Sequence, residues 1–219
     1  MRAVLFSNGE VPQPLSVREH LRQDDVFVAV DGGMRHLHVL DLSPQLIIGD
    51  MDSIPSNILS EFEKADTEVL RFPPAKDETD LELALDILAE RGFDEILIVG
   101  ALGGRIDQTV ANIWLLANHS CPGFSIRFDD GCERMDLILD QLTINGAAGD
   151  QVSLIPFGSE VTGITTKGLA YPLDDETLFP EKTRGLSNVL NGKQAQIQIR
   201  SGKLLCIHRR IAICRKEKK

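Results

Sequence analysis

The sequence is poor in cysteine, and its cysteines and histidines form no recognised metal motif. The four cysteines show no CxxC pair and no histidine at ligand spacing: Cys121, Cys132, Cys206 and Cys214. Neither a zinc site nor a disulfide scaffold is therefore indicated. We predict four small buried side chains in a reducing compartment. The five histidines form no HExxH array, so histidine catalysis is not supported either.

Long apolar runs and repeats are also missing. No stretch approaches the length of a membrane span, and the apolar run at the start of MRAVLFSNGE is too short for a signal peptide. No repeat of about 20–50 residues is visible, which argues against a solenoid. Aromatic residues make up only 5% of the chain, so Leu, Ile and Val must fill the interior. We expect a globular, cytoplasmic protein.

Basic residues are scarce in the first half of the chain. Residues 1–120 contain 9 Lys and Arg against 21 Asp and Glu, whereas residues 121–219 contain 14 against 12. This acidic balance disfavours nucleic acids and anionic membranes as partners. The basic segment HRRIAICRKEKK at 208–219 is predicted to be a solvated tail. The uneven charge suggests two functional halves.

The first half has the pattern of a parallel sheet covered by helices. Strand-like runs that are apolar on both faces alternate with helical patterns: AVLF at 3–6, VFVAV at 26–30, QLIIG at 45–49, EVLRF at 68–72 and EILIVG at 95–100. Such runs are typical of strands buried on both faces. We predict an α/β domain over residues 1–120, with an open, mostly parallel sheet and helices on both faces.

Two helices of this half can be placed in detail. One is expected to begin after the cap Thr79, with Glu82 as the capping partner, and to end at Gly92. Its predicted inner stripe is Leu81, Leu85 and Leu88. The other is expected from about Arg105 or Ile106 to His119, with inward residues Val110, Ile113, Trp114 and Ala117. Trp114 is accordingly predicted to be a core residue.

The second half has the pattern of antiparallel strands. After Cys121, short alternating segments are separated by turn pairs, among them Asn191-Gly192 between GLSNVL and KQAQIQI. This pair tolerates positive φ at both positions of a tight hairpin. We therefore predict an antiparallel meander in an all-β domain over residues 121–219.

Acidic motifs follow four of the predicted parallel strands. They comprise Asp31 in DGG, Asp50 and Asp52 in GDMDS, Asp77 and Asp80 in KDETD, and Asp107 in GGRID. Ligands of open α/β sheets bind outside the carboxyl ends of the strands, so these motifs are expected to converge. Carboxylates that repel one another are seldom placed together unless a cation holds them. The pattern predicts metal-assisted chemistry on a nucleotide.

Each motif also has a structural alternative. An Asp50-Met51-Asp52 segment can hold one hard cation, but taken alone it is more often an Asx-turn and a helix cap. In GALGGRID at 100–107, Gly103 and Gly104 let backbone N–H groups approach a phosphate, and Arg105 is a bidentate phosphate donor. A lone glycine turn would usually be a tight connection between a strand and a helix. The three acidic motifs together favour the functional interpretation.

Taken together, the motifs resemble the thiamin pyrophosphokinase family, whose members move a diphosphate from ATP onto the hydroxyl of thiamin. The resemblance covers nearly the whole chain: DGG at 31–33, IIGDMDS at 47–53, TDLELAL at 79–85, GALGGRIDQTVANI at 100–113, TKGLAYPL at 166–173 and LSN at 186–188. It implies an N-terminal α/β catalytic domain, a C-terminal β-sandwich that binds thiamin, and a homodimer with active sites at the interface. Mg²⁺ would be the cofactor, and ATP the co-substrate.

The resemblance also implies roles for individual residues. Asp50, Asp52 and Asp80 are the expected metal ligands, with Asp31 and Asp77 as supporting acids. Arg105 and Asp107 are expected to contact the triphosphate and the reacting hydroxyl, beside Gly103 and Gly104 as ATP-binding glycines. Ser187 and Asn188 are expected to contact thiamin, with Tyr171 packing near its ring. This chain departs from the family pattern at Ala170, where a basic residue is often found, and at Val189, where an acidic one is common.

Two other functions use the same residue types. Carboxylates around a cation also serve magnesium-dependent nucleotidyltransferases and phosphatases. A non-catalytic nucleotide or vitamin sensor would keep the fold without turnover, although a mere binder has little need for the full set of acids.

Overall fold

The computed structural model describes residues 1–52 and 67–214, which form two compact units. The first unit comprises Met1–His119 and Gly123–Gly131, and the second comprises Ser120–Pro122 and Cys132–Lys219. Ser53 of the GDMDS motif and residues 215–219 of the basic tail lie outside the described residues. Among the helices described, none has the length and apolar character needed to cross a membrane.

The first unit is an α/β domain built on a parallel sheet. Its strands are β1 (Arg2–Phe6), β2 (Val26–Val30), β3 (Leu46–Gly49), β4 (Glu68–Arg71), β5 (Glu95–Val99) and β6 (Ser125–Asp129). They lie in the order β4-β3-β2-β1-β5-β6, and every neighbouring pair is parallel. The order reverses direction between β1 and β5. Both faces are buried, as shown by β1, in which Ala3, Val4, Leu5 and Phe6 are all inaccessible to solvent.

Short helices follow the strands of this unit. They are α1 (Pro14–Arg18), α2 (Met34–Val39), α3 (Asp80–Glu90) and α4 (Ile106–His119), with a 3-10 turn at Asp31–Gly33. The sequence prediction of α3 is confirmed in detail. The Thr79 hydroxyl accepts a hydrogen bond from the Glu82 N–H at 3.2 Å. The predicted inner stripe of three leucines is buried, and Gly92 ends the helix with φ +79°.

The predicted inner face of α4 is wrong at two positions. Val110 and Trp114 are each 49% exposed, whereas Asn112 and Leu116 are buried. The reason is a polar contact, because the Asn112 Nδ2 group donates a hydrogen bond to the Ala101 carbonyl at 2.7 Å. That bond turns the Asn112 side of the helix inward and leaves Trp114 at the surface.

The second unit is a β-sandwich. One antiparallel sheet has the order β7-β14-β9-β12, from β7 (Glu133–Ile138), β14 (Leu204–Arg209), β9 (Gln151–Pro156) and β12 (Asn188–Val189). The other has the order β8-β13-β10-β11, from β8 (Gln141–Asn145), β13 (Gln194–Gln198), β10 (Val161–Lys167) and β11 (Glu176–Leu178). Alternate residues of both sheets form one apolar core, for example Val152, Leu154, Ile164 and Ile197.

The predicted hairpin at Asn191-Gly192 is wrong. The strand before this pair, β12, bonds to β9, while the strand after it, β13, bonds to β8 and β10. The pair therefore connects the two sheets of the sandwich. Neither residue has positive φ, and the Asn191 N–H donates to the Gly168 carbonyl at 2.9 Å.

The prediction of four free buried cysteines holds for only one of them. Cys206 is buried in β14, and burial raises the pKa of its thiol. Cys121 is exposed. Cys132 and Cys214 are joined by a disulfide, which ties the short C-terminal helix α5 (Ile211–Cys214) to the start of β7. Their separation of 82 residues gives no local sequence signal for this pairing.

Candidate active site

A cleft of about 630 Å³ opens where the loops after β1 and β5 meet. These strands are neighbours at the point where the strand order reverses, which is where open α/β sheets bind ligands. The cleft is lined by two loops and by side chains from three further segments: Ser7, Asn8, Gly9 and Glu10; Gly100, Ala101, Gly103, Gly104 and Arg105; and Asp31, Arg35, Thr79, Asp80, Gln108 and Asn112. Of the predicted site residues, Asp31, Asp80, Gly103, Gly104 and Arg105 therefore share one cleft.

Asp31 is the most perturbed carboxyl of the site. It follows β2 directly, with φ +47°, and its Oδ1 atom is buried without a hydrogen-bond partner. Burial, a hydrogen bond with the Asp80 carboxyl, and the charges of Asp80 and Asp50 raise the pKa of Asp31 to about 7. The charges of Asp50, after β3, and Asp80, at the start of α3, thus raise the pKa of Asp31, after β2. The sequence predicted that these acidic motifs would converge.

Gly49 lets the first two acidic motifs approach each other. A Cβ atom at this position would lie 2.3 Å from Asp31 Oδ1. Its φ of +149° is also one that side chains rarely adopt. Any residue with a Cβ atom at position 49 would therefore displace the Asp31 carboxylate, which follows the neighbouring strand β2.

Asp50 and Asp52 form an Asx-turn, which was the structural alternative to a metal site for this motif. The Asp52 N–H donates to Asp50 Oδ1 at 3.0 Å, and Met51 between them has φ +67°. One Asp50 oxygen is thus used to shape the turn. A carboxylate keeps further lone pairs for a cation, so this turn and a metal site are compatible.

Asp80 is paired with Lys76. The Lys76 ammonium lies 2.7 Å from Asp80 Oδ1 and 3.2 Å from the Pro73 carbonyl oxygen. Asp77, between them in sequence, is exposed and does not line the cleft. Asp80 is the first residue of α3, where a helix dipole also favours negative charge.

The acids fit a hard divalent cation, although they are not packed together as a closed ligand set. Within residues 1–52 and 67–214, no three Asp, Glu, His or Cys side chains are spaced closely enough to hold one metal ion. The orphaned Asp31 Oδ1 oxygen and the mutual repulsion around it show that the cluster can accept more positive charge than Lys76 supplies. Oxygen ligands of this type suit Mg²⁺.

Backbone hydrogen bonds join the loop after β1 to the loop after β5. Ser7 N–H donates to the Val99 carbonyl at 2.8 Å, Gly9 N–H to Gly100 at 2.7 Å, and Glu10 N–H to Leu102 at 2.8 Å. A Cβ at Gly9 would lie 2.3 Å from the Gly100 oxygen, so only glycine permits this approach. Gly103 and Gly104 follow with φ of +83° and +68°. The result is a rigid glycine-lined edge beside the acids.

Arg105 and Asp107 form an exposed ion pair at the start of α4. The Arg105 Nε and Nη2 atoms lie 3.1 and 2.5 Å from the two Asp107 oxygens. This guanidinium lowers the pKa of Asp107. Asp107 does not line the cleft, whereas Arg105 does. Asp107 therefore orients the Arg105 fork and is a weak base.

The loop after β1 and the side chains that hold it were not predicted from the sequence. Arg35 Nη2 donates to the carbonyls of Asn8 and Gly9 at 2.7 and 2.8 Å. His36 Nε2 lies 2.9 Å from the Gly9 oxygen, and burial lowers the pKa of its imidazole. A neutral His36 donates one hydrogen bond here. The signal was a polar SNG segment directly after the first predicted strand.

The predicted thiamin contacts lie together in the second unit. Asn188 is buried, and its side chain bonds the backbone of Tyr171: Oδ1 accepts from the Tyr171 N–H at 3.0 Å, and Nδ2 donates to the Tyr171 carbonyl at 2.7 Å. Tyr171 is 71% exposed. Ser187 has φ +59° and its N–H donates to Ser153 Oγ at 3.1 Å. Asn188 thus holds the Tyr171 segment and has few free hydrogen-bonding groups of its own.

Comparison with family models gives two matches. The model described as thiamin pyrophosphokinase, catalytic domain, matches residues 17–128. The model described as thiamin pyrophosphokinase, vitamin B1 binding domain, matches residues 141–204. The two matches fall in the acidic and the all-β parts of the chain.

Individual relatives agree with the family models. The chain is 30% identical to the thiamine pyrophosphokinase of Bacillus subtilis over 184 residues, which is 83% of this chain and 86% of the relative. A crystal structure of a Bacillus subtilis thiamine pyrophosphokinase superposes on this chain with a TM-score of 0.84 and 27% sequence identity. The superposition covers 96% of this chain and 99% of the Bacillus subtilis chain. A thiamin pyrophosphokinase from Geobacillus thermodenitrificans has a TM-score of 0.81 at 27% identity, covering 98% and 100%.

Proposed function

Because this chain belongs to the thiamin pyrophosphokinase family, we infer that it is an ATP-dependent diphosphotransferase that converts thiamin into thiamin diphosphate. The observation that carries this inference is the convergence of Asp31, Asp50 and Asp80 beside a glycine-lined cleft at the reversal of strand order. Acids and glycines in this arrangement serve a cation and a polyphosphate.

The reaction is an in-line displacement at the β-phosphorus of ATP. The thiamin hydroxyl oxygen forms the new O–P bond, the bond from the β-phosphorus to the α–β bridging oxygen breaks, and AMP leaves. Negative charge accumulates on the bridging and equatorial oxygens, so catalysis depends mainly on positioning and charge stabilisation. The hydroxyl proton needs only a weak acceptor, since a loose transition state makes small demands on a base.

We propose that Asp50, Asp52 and Asp80 hold Mg²⁺, with Asp31 and Asp77 as supporting acids. A bound Mg²⁺ would neutralise phosphate charge and the repulsion among these carboxylates. Asp31 and Asp80 line the cleft, and Asp50 acts on Asp31 electrostatically, which supports their part in this site. For Asp52 and Asp77 the support is the family motif and their position beside the other acids in sequence.

We propose that the nucleotide lies along the glycine-lined edge. Backbone N–H groups at Gly103 and Gly104 face phosphate oxygens, and Arg105 supplies a fixed bidentate cation. Asp107 holds the Arg105 fork in place, and its expected contact with the reacting hydroxyl is supported by the family motif alone. The ion pair and the position of Arg105 in the cleft wall support this division of roles.

We also propose a role for each of the two domains. Residues 1–120 are the catalytic domain that binds nucleotide and metal, and residues 121–219 bind thiamin. The two family models support a catalytic and a vitamin B1 binding domain in this order, with the catalytic match reaching residue 128. Ser187 and Tyr171 are proposed to contact thiamin, with Asn188 acting on it through the Tyr171 segment. The acidic first half suits the cationic thiazolium ring.

The homodimer with active sites at its interface and the cytoplasmic location stay predictions from the sequence. Neither nucleic acid nor a membrane is proposed as a partner. The substrates of the family, thiamin and ATP, are the partners of this chain.

Product analysis tests the proposed reaction against its rivals. The pure protein is incubated with thiamin, ATP and Mg²⁺, and the products are identified by mass spectrometry. Thiamin diphosphate and AMP in equal amounts are expected. ADP or free pyrophosphate as the product would favour a phosphatase or nucleotidyltransferase, and calorimetric binding of both substrates without turnover would favour a sensor.

A further inference from the structure

Lys76 is a largely buried cation inside the acidic site. Its side chain is 12% exposed and that of Asp80 is 16% exposed. Lysine is almost never buried unless it is paired. Here its ammonium bonds Asp80 Oδ1 at 2.7 Å and the Pro73 carbonyl at 3.2 Å. Its charge also opposes the rise in the pKa of Asp31. Lys76 therefore supplies positive charge to the acid cluster.

We propose that Lys76 is a built-in counter-ion that competes with the divalent cation for Asp80 and moves to a phosphate oxygen when the nucleotide binds. This inference rests on the proposed function, because it presumes that Asp80 binds the metal. In this role Lys76 makes tight metal binding depend on the nucleotide.

Charge repulsion and the reach of the lysine side chain both support this role. A divalent cation on Asp80 would repel an ammonium bound to the same carboxylate, so the Lys76–Asp80 pair opposes binding of the metal alone. A nucleotide phosphate gives the displaced ammonium a new anionic partner. The lysine stem is flexible and its three donors rotate freely. Its partner Asp80 borders the cleft, so the ammonium lies beside the proposed nucleotide site before the nucleotide binds.

The test is the affinity for Mn²⁺, measured by electron paramagnetic resonance with and without an ATP analogue. The analogue carries a methylene group between its α- and β-phosphates, so no diphosphate is transferred. The wild-type protein is expected to bind Mn²⁺ at least about tenfold more tightly with the analogue, within the usual range of coupling between two ligands. Lys76→Met should bind Mn²⁺ alone about tenfold more tightly than the wild type and lose most of that coupling.

Three further proteins complete the design. Lys76→Gln repeats the test with a shorter polar side chain if Lys76→Met does not fold. Lys76→Arg keeps the charge and should keep weak binding of Mn²⁺ alone. Lys193→Met removes an exposed lysine of the second unit and should match the wild type. Unchanged or weaker binding of Mn²⁺ alone in folded Lys76→Met or Lys76→Gln overturns the proposal.

Different experimental outcomes would show that the role of Lys76 is wrong or that the proposed function is wrong. If the wild type forms thiamin diphosphate while the Lys76 variants show unchanged Mn²⁺ binding, only the role of Lys76 is wrong. If the wild type binds no Mn²⁺ with or without the analogue, the metal site itself is overturned.

Discussion

The side-chain amide of Asn188 pairs with both polar backbone groups of Tyr171, accepting from its N–H at 3.0 Å and donating to its carbonyl at 2.7 Å. Asn188 Oδ1 also accepts from the Val189 N–H at 2.9 Å. The amide is therefore largely used within the protein. This relationship changes the expected role of Asn188 from a direct ligand contact to a support for an exposed tyrosine segment.

Replacing Asn188 by Ala is expected to affect thiamin more than ATP. The Tyr171 backbone would lose both bonds, and unpaired backbone groups of this kind cost about 1–3 kcal/mol of unfolding free energy each when they stay buried. We expect the KM for thiamin to rise about tenfold or more, with a much smaller change for ATP. Gln194→Ala, which removes an exposed amide bonded to Asn145, is the control. An unchanged KM for thiamin would remove Asn188 from the thiamin site.

Asp31→Asn is expected to stabilise the metal-free protein more at pH 8 than at pH 5. The folded pKa of about 7 lies above the ordinary value of 3.8. The folded state therefore holds a proton that the unfolded state has lost, and stability falls as the pH rises through this interval. An amide cannot ionise, so it avoids that loss. Discounted for the partial exposure of Asp31, the gain at pH 8 is about 1–2 kcal/mol.

Urea unfolding at the two pH values in the absence of divalent cations measures this effect. Asp174→Asn, which changes an exposed acid of the second unit, is the control and should show no such pH dependence. Equal effects of Asp31→Asn at pH 5 and pH 8 would contradict the assigned environment of Asp31.

Asp107→Asn is expected to lower kcat about tenfold to a hundredfold while the protein stays folded. Asn cannot hold the Arg105 guanidinium by two charged bonds, so the cation would be less well positioned for the nucleotide. Arg105→Lys should show a similar loss together with a higher KM for ATP, because lysine has no planar fork. Steady-state kinetics with circular dichroism as the folding control measures both. Near-normal turnover of folded Asp107→Asn would show that the pair is only a surface contact.

Gly49→Ala is expected to weaken metal binding as well as stability. The new Cβ would meet Asp31 Oδ1 at 2.3 Å and displace that carboxylate. Gly92→Ala is a matched control, since Gly92 also has positive φ but a Cβ added there would meet no atom within 4 Å. Each substitution should cost at least about 1 kcal/mol through backbone strain. Mn²⁺ titration should show a loss of affinity for Gly49→Ala alone, and equal affinities would refute the steric argument.

The sequence predicted the parallel sheet and its acidic edge well, for a physical reason. Apolar runs such as VFVAV at 26–30 can be buried only in the interior of a covered sheet, and β2 occupies those five residues. The ends of parallel strands share one edge, so Asp31 and Asp50 had to approach each other. The Thr79 cap is local chemistry and was equally predictable.

Features set by long-range contacts were not predictable in this way. Periodicity along α4 gave Trp114 an inner position, but the bond from Asn112 to Ala101 decided the face. The turn pair Asn191-Gly192 has the local chemistry of a hairpin, yet the sandwich uses it to change sheets. The loop at residues 7–10 carries no aspartate and so escaped notice, although the rule about strand ends applies to it equally.

In the proposed function, acids from three segments form one cation site at the cleft. Mn²⁺ titration of Asp50→Asn and Asp80→Asn in the presence of the ATP analogue tests it most directly. We expect one bound Mn²⁺ in the wild type and at least about tenfold weaker binding in each variant, because each carboxylate serves the same ion. Wild-type affinity in both variants would contradict it.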